Sequence, residues 1–182
     1  LLPAGAFAKL YHIEDRTGDY VAYDYAYNML AGCEQDAVIF TNGDNDTFPL
    51  WFLQEVEGIR KDVRVVNLSL LNTGWYIKQL RDREPKIDIR FDDTLIDSVL
   101  TDTQLVDLYR RLWEPKIPPE FKNIGLDIEV KTLEGHDLLR VQDIMVIKIL
   151  GWNEWKKPMH FAITIPASNR VGLDPFLSMV GM

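Results

Sequence analysis

Apolar and aromatic residues recur at helical spacing from Tyr20 onward and stop at Gly32, which predicts a first helix over residues 20–32. The run Asp36-Ala37-Val38-Ile39-Phe40 is short, continuous and bounded by turn formers, the pattern of a strand buried on both faces. The polar stretch Thr41-Asn42-Gly43-Asp44-Asn45-Asp46 then reads as a loop. Thr47 suits an N-cap and Pro49 a first turn, so a second helix is expected over Phe48 to Glu57, closed by Gly58. A second buried strand follows over Val63 to Leu68.

Strand, helix and strand joined by such short connections predict a parallel crossover unit. The fold class expected is therefore α/β, Rossmann-like, with a mainly parallel sheet and helices on both faces. Downstream, the pattern predicts a helix over Asn72 to Arg81, a strand over Ile87 to Phe91, and an amphipathic helix over Thr103 to Trp113 ended by Pro115. The alternation in Leu126-Asp127-Ile128-Glu129-Val130 predicts a strand with one wet face, His136 to Leu150 a helix, and Met159 to Ile165 a late strand. Tyr20, Tyr23 and Tyr27 recur at helical intervals and are expected to pack against the sheet.

Composition adds limits to this picture. At 182 residues and 47% hydrophobic content the chain is expected to form a single domain around one substantial core. Its formal charge of −8 and lack of a basic stripe argue against nucleic acid as a partner. The single cysteine, Cys33, rules out an internal disulfide and is expected to be a small buried hydrophobe on a helix. No segment approaches the ~20 consecutive apolar residues of a membrane-spanning helix. The opening Leu1 to Ala8 is too short for a signal peptide, and with no initiator Met the sequence reads as a fragment of something longer.

In open parallel sheets, ligands sit beyond the carboxyl ends of the strands, where loops vary and helix N-termini present unpaired N–H groups. The first strand delivers Asn42, Asp44, Asn45, Asp46 and Thr47 there, and the second delivers Asn67, Ser69, Asn72, Thr73, Trp75 and Tyr76. If the strands are neighbours, both sets face one cleft. Alternating oxygen donors at Asp44 and Asp46 could hold a divalent cation such as calcium, magnesium or manganese. The EF-hand pattern fails, because Thr47 and Leu53 occupy the positions where it needs glycine and glutamate.

Asp44-Asn45-Asp46 could instead be the Asp-x-Asp that holds the ion on a sugar diphosphate, although no basic partner for the pyrophosphate is evident. A structural reading has the same side chains capping the following helix and favouring its positive end. In a fourth reading the carboxylates and amides exchange hydrogen bonds with sugar hydroxyls while Trp75 or Tyr76 stacks on the ring.

Other chemistries lack the residues they require. His12, His136 and His160 are far apart in sequence and show no paired metal-ligand spacing, and His160 is expected to be a satisfied strand residue. There is no nucleophile elbow, phosphate-cradling glycine loop or Cys/His arrangement, so nucleophilic catalysis has no candidate. Asn45-Asp46-Thr47 and Asn67-Leu68-Ser69 match the N-glycosylation tripeptide, a short motif common by chance.

Longer motifs carry a resemblance. Residues 15–20 (Asp-Arg-Thr-Gly-Asp-Tyr), Tyr23-Asp24-Tyr25-Ala26, the run from Phe40 to Trp51, the run from Asp62 to Thr73, and Trp75-Tyr76-Ile77 closely resemble a family of bacterial multi-spanning membrane proteins of unknown function. Lys157 to Ala162 and Gly172-Leu173-Asp174 fit it as well. The family is related to eukaryotic protein O-mannosyltransferases of the C-type class, which take a sugar from a lipid phosphate on the non-cytoplasmic side of a membrane.

The resemblance implies a soluble, extracytoplasmic (periplasmic) domain, with residues 1–18 a linker from an upstream transmembrane domain of the same protein. It implies no catalytic residue here, because in C-type transferases the catalytic carboxylate and the lipid-sugar site lie in the membrane half. The expected role is accessory, holding a glycan or an acceptor protein. The alternatives are a metal-dependent transferase or hydrolase using Asp44 and Asp46, and a structural platform packing on the membrane half.

Overall fold

The computed structural model describes residues 2–99, 131–133, 136–138 and 140–179. The elements in order are α1 (Leu2–Glu14), α2 (Val21–Ala31), β1 (Val38–Thr41), α3 (Asp44–Glu55), β2 (Arg64–Asn67), α4 (Gly74–Asp82), α5 (Asp93–Val99), β3 (Lys131–Leu133), β4 (His136–Leu138), α6 (Val141–Asn153) and β5 (Met159–Phe161). A 3-10 turn at Leu70–Asn72 leads into α4, and two more follow β5 at Ala167–Asn169 and Asp174–Phe176. The strand expected over 126–130 and the helix expected over 103–113 lie outside the described residues. None of the described helices is long and apolar enough to cross a membrane.

The class is α/β, as the strand and helix periods imply. β1 is the central strand of a three-stranded parallel sheet ordered β2-β1-β5. Register pairs Val38 with Arg64 and Met159, and Phe40 with Val66 and Phe161. Alternate residues of β1 and β2 enter two cores. Ala37, Ile39, Val63 and Val65 meet Ala26 and Leu30 of α2 and Leu50 and Leu53 of α3. Val38, Phe40, Val66 and Leu68 meet Tyr76, Ile77 and Leu80 of α4 and Met145, Val146 and Ile149 of α6. Helices thus cover both faces, which is why the strands read as continuous apolar runs rather than alternating ones.

Two side chains secure the edges of this layer. The Arg60 guanidinium donates to the carbonyls of Leu30 (2.6 Å), Cys33 (3.0 Å) and Glu34 (2.9 Å), closing the carboxyl end of α2, while Asp62 accepts two further bonds at 2.9 Å each. Cys33 is buried just past that helix end, and burial pushes its thiol up to about 11, so it behaves as a hydrophobe. On the side of β2 away from β1, the Tyr76 hydroxyl accepts from the Asn67 N–H (3.0 Å) and donates to the Val65 carbonyl (3.4 Å). One phenol therefore occupies the outward-facing groups that a further strand would otherwise pair.

Several expectations are corrected. The helix after β1 begins at Asp44 behind an extended Gly43, four residues ahead of Phe48, and Thr47 bonds back to the Gly43 carbonyl at 2.8 Å rather than capping. Asp44 and Asp46 in the first turn favour this earlier start by meeting the positive end of the helix. Residues 136–138 are a strand paired antiparallel to β3, and the helix starts at Val141, where Arg140 and Asp143 form a reciprocal cap. Residues 87–91 form no strand: Ile87 and Ile89 bury their side chains in the α4/α6 core, but the segment joins no ladder among the described residues.

The tyrosine stripe is split: Tyr23 is half-buried and packs against the α2/α3 core as expected, while the other two do not. Tyr20 is 63% and Tyr27 46% exposed, and α2 buries Ala26 and Leu30 instead. Residues 2–14, within the expected linker, form a helix. His160 is held as expected, by Glu34 at 2.5 Å.

Candidate functional site

Chain direction gathers the polar residues at one edge. The parallel strands end together at Thr41, Asn67 and Phe161, and α3 and α4 begin directly beyond the first two. α6 begins there too, since Gln142 N–H donates to Asn72 Oδ1 (3.0 Å) and Arg140 donates to Asn169 Oδ1 (2.8 Å). The chain leaves β1 toward β2 on one side, and β5 lies on the other, so the point where the strand order reverses falls between β1 and β5. Crevices open at such reversals.

Asp46 sits at that point. The residue is 4% exposed, Tyr25 donates to its Oδ1 at 3.1 Å, and Thr164, exposed after β5, donates to its Oδ2. Among the described residues no Lys or Arg pairs with this carboxylate. Burial, and after it the Asp46 charge, raises the Tyr25 phenol above its ordinary range, so it stays a donor. Beside this group, Asn169 donates to Asn42 Oδ1 at 2.9 Å, and Ser69 donates to the Asn42 carbonyl at 3.1 Å.

Beneath it lies a buried set. Thr41 and Thr47 share a hydroxyl bond of 2.8 Å, and Asn67 donates to Thr47 at 2.8 Å while accepting from the Leu70 N–H at 2.9 Å. These residues brace the loops and face no solvent.

The expected residues therefore divide. Asn42, Asp46, Asn72 and Thr73 lie at the edge, half-buried or buried, with Asn45 and Asp44 exposed in the first turn of α3. Trp75 is 58% exposed at the start of α4 and meets Tyr76 edge to face at 5.5 Å. Asn67 is 3% and Tyr76 2% exposed, each turned into the fold. Asp44 and Asp46 are two apart on a helix, positions that face different directions. Among the described residues no group of three His, Cys, Asp or Glu is placed to hold a metal ion.

Sequence reasoning missed Tyr25, Arg140, Thr164 and Asn169. The signal available was the late strand itself, since whatever follows a strand docked beside β1 must reach the same edge. At the opposite edge, Val38, Ile87, Ile149, Trp152 and Met159 line a small cavity of about 70 Å³ that is mostly apolar.

Residues 22–102, which carry β1, α3, β2 and half of this cluster, match the family model of TMEM260-associated domain 2. The matched segment is TMEM260-like. It is 31% identical over 77 residues to the protein O-mannosyl-transferase TMEM260 of Mus musculus, covering 42% of this chain and 11% of that protein. The protein O-mannosyl-transferase tmem260 of Dictyostelium discoideum is 24% identical over 66 residues, 36% of this chain and 8% of the relative. The chain thus spans about a tenth of the length of these TMEM260 relatives. No solved structure matches it.

Proposed function

We propose that this chain is an accessory binding domain of a membrane glycosyltransferase-like protein, carried on the non-cytoplasmic side and holding a glycan or an acceptor protein. The observation that carries the reading is the convergence of polar side chains from four segments, around residues 42–46, 67–73, 140–142 and 164–169, on one sheet edge. Exposed apolar groups stand around the same edge: Tyr20 and Val21 where α2 begins, Phe48 in α3, Trp75 in α4 and Ile163 after β5. Polar groups that fix hydroxyls, with aromatic faces that stack on a ring, are what a sugar requires.

The similarity of residues 22–102 to protein O-mannosyl-transferases supports a glycan-linked role and attachment of the full protein to a membrane. The sheet order, with the polar residues at its reversal, supports describing the unit as a reduced Rossmann-like layer. Asn42, Asp44, Asn45, Asp46, Asn72, Thr73 and Trp75 are the contacts proposed, with Asn67 and Tyr76 holding the loops that carry them. Chemistry on the sugar belongs to a part of the protein outside this chain.

Glycan-array binding by the chain tests the proposal. Binding is expected to be lost in Trp75→Ala and kept in Glu57→Ala, an exposed change at the far end of α3. An array on which no glycan binds above background would overturn the reading.

A further inference from the structure

We propose that the outward face of α2 and α3 is a docking surface for a basic segment of a partner protein, one that interleaves apolar side chains with Lys or Arg. The inference goes beyond the glycan-binding reading and does not rest on it, since it concerns the surface turned away from the sheet rather than the polar edge.

The apolar half of the surface follows from helix geometry. α2 and α3 pack on one face of the sheet through Ala26, Leu30, Leu50 and Leu53. On the side of α3 away from Leu50 and Leu53, Phe48, Phe52 and Val56 follow at four-residue intervals and are 55%, 46% and 67% exposed. On α2, Val21 is 76% and Tyr27 46% exposed. Phe48 meets Trp51 at 5.8 Å and Tyr27 meets Tyr23 at 6.5 Å, so half-buried rings anchor the exposed ones. Single apolar residues on a surface are ordinary, but a row of them rimmed by polar groups marks a contact surface. The area is on the order of a few hundred Å², less than the about 800 Å² per side of a folded-partner interface, and it suits one helix or one extended segment.

Charge identifies the occupant. Residues 17–59, which form α2, β1 and α3, hold eight Asp or Glu and no Lys, Arg or His. This stretch therefore carries −8, the formal charge of the whole chain, while the other residues balance at twenty acidic and twenty basic. Asp24, Asp44 and Glu55 are exposed on the two helices, with Glu57 just past the end of α3. Among the described residues no ion pair reaches Asp24, Asp44 or Glu57. Exposed carboxylates elsewhere are matched: Asp93 and Asp97 meet Lys78, and Asp88 and Glu154 meet Arg90. Unneutralised carboxylates beside aromatic rings attract ammonium and guanidinium groups, which pair with the acids and sit over ring faces. The same field repels anionic lipid headgroups. It also opposes a second copy of this chain through the same face, because like charges would be brought together.

Fluorescence anisotropy with labelled peptides on the 182-residue chain tests this. A Lys/Leu peptide patterned as an amphipathic helix is expected to bind at least about tenfold more tightly than a Lys/Ser peptide of equal length and charge, and a Glu/Leu peptide is expected not to bind. Phe52→Ser/Val56→Ser and Asp24→Asn/Glu55→Gln are each expected to weaken the Lys/Leu peptide about fivefold or more. Both change exposed side chains away from the polar edge, and cooperative thermal unfolding shows that they remain folded. Glu84→Gln/Asp88→Asn, which removes the same charge beside the α4/α6 core, is expected to leave binding within about twofold of wild type.

Equal binding of the Lys/Ser peptide overturns the proposal, since charge alone would then suffice, and that comparison needs no variant. So does a Lys/Leu peptide that fails to bind, or one whose binding survives in both folded face variants. Cosedimentation with phosphatidylcholine vesicles and analytical ultracentrifugation examine the competing occupants. Vesicle binding, or a dimer, that is lost in Phe52→Ser/Val56→Ser would give the face to lipid or to a second copy and overturn the assignment to a basic protein segment.

Discussion

Tyr76→Phe separates a structural side chain from a ligand contact. Tyr76 is 2% exposed, and its hydroxyl is the partner of the buried Asn67 N–H at 3.0 Å, while its bond to the Val65 carbonyl, at 3.4 Å, is long and contributes less. Phenylalanine keeps the ring packed against the α4/α6 core, so no cavity term of consequence arises. What is lost is one good hydrogen bond, with a backbone N–H left buried and unpaired at a cost of about 1–3 kcal/mol. Burial raises the phenol above its ordinary range, so the bond persists through neutral and mildly alkaline pH. For a chain of this size that cost corresponds to a drop in Tm of roughly 2–12 °C.

Urea unfolding followed by tryptophan fluorescence is the assay, with an unchanged m-value showing that the folded and unfolded ensembles keep their compactness. Glycan binding measured on the folded variant is expected to stay within about twofold of wild type, because the hydroxyl bonds the backbone of β2 and takes no part in the exposed polar cluster. Stability within about 0.5 kcal/mol of wild type, or abolished binding in a stable variant, would refute the assignment of Tyr76 to the sheet edge.

Other expectations follow from the same geometry. Arg60→Ala removes three carbonyl bonds at the end of α2 together with the Asp62 pair, and is expected to lower stability by about 2–4 kcal/mol in urea unfolding, whereas Arg60→Lys should rescue only part because one ammonium cannot reproduce the fork. Hydrogen bonds from Arg60 hold the Asp62 carboxyl at about 2 against 3.8, so it contributes stability that is present above about pH 4 and lost as pH falls toward 2. Asp62→Asn should flatten the acid limb of stability over that window, measured by thermal melts from pH 5 to pH 2. Calorimetry with calcium, magnesium and manganese is expected to give no saturable heat, since Asp44 and Asp46 diverge on α3; a saturable site abolished by Asp46→Ala would restore the metal-dependent alternative.

What could be read in the sequence was what local physics decides. Val38 to Phe40 and Val63 to Leu68 announced two-sided burial, because strands covered by helices on both faces must be apolar throughout. The polar residues between and after them pointed to the carboxyl edge before any coordinate did. The start of α3 was misplaced because Thr47 is as good a cap in isolation as Gly43 is poor, and the acidic first turn decided otherwise.

Tyr20, Tyr23 and Tyr27 have the spacing of a buried stripe, but spacing shows only that residues share a face and not which face meets the sheet. Ala26 and Leu30, small and apolar, give α2 the closer approach. Half of the polar cluster was invisible for a topological reason. Thr164 and Asn169 reach Asp46 and Asn42 across more than a hundred residues, solely because β5 docks on the free side of β1.

Amide chemical-shift mapping during titration with the glycan that the array captures most strongly addresses the location of the site most directly. The largest changes are predicted at residues 42–47 and 164–170, with smaller ones around 69–75 and 140–142. Changes centred instead on Val38, Ile87, Trp152 and Met159, around the small cavity at the opposite edge of the sheet, would contradict the account.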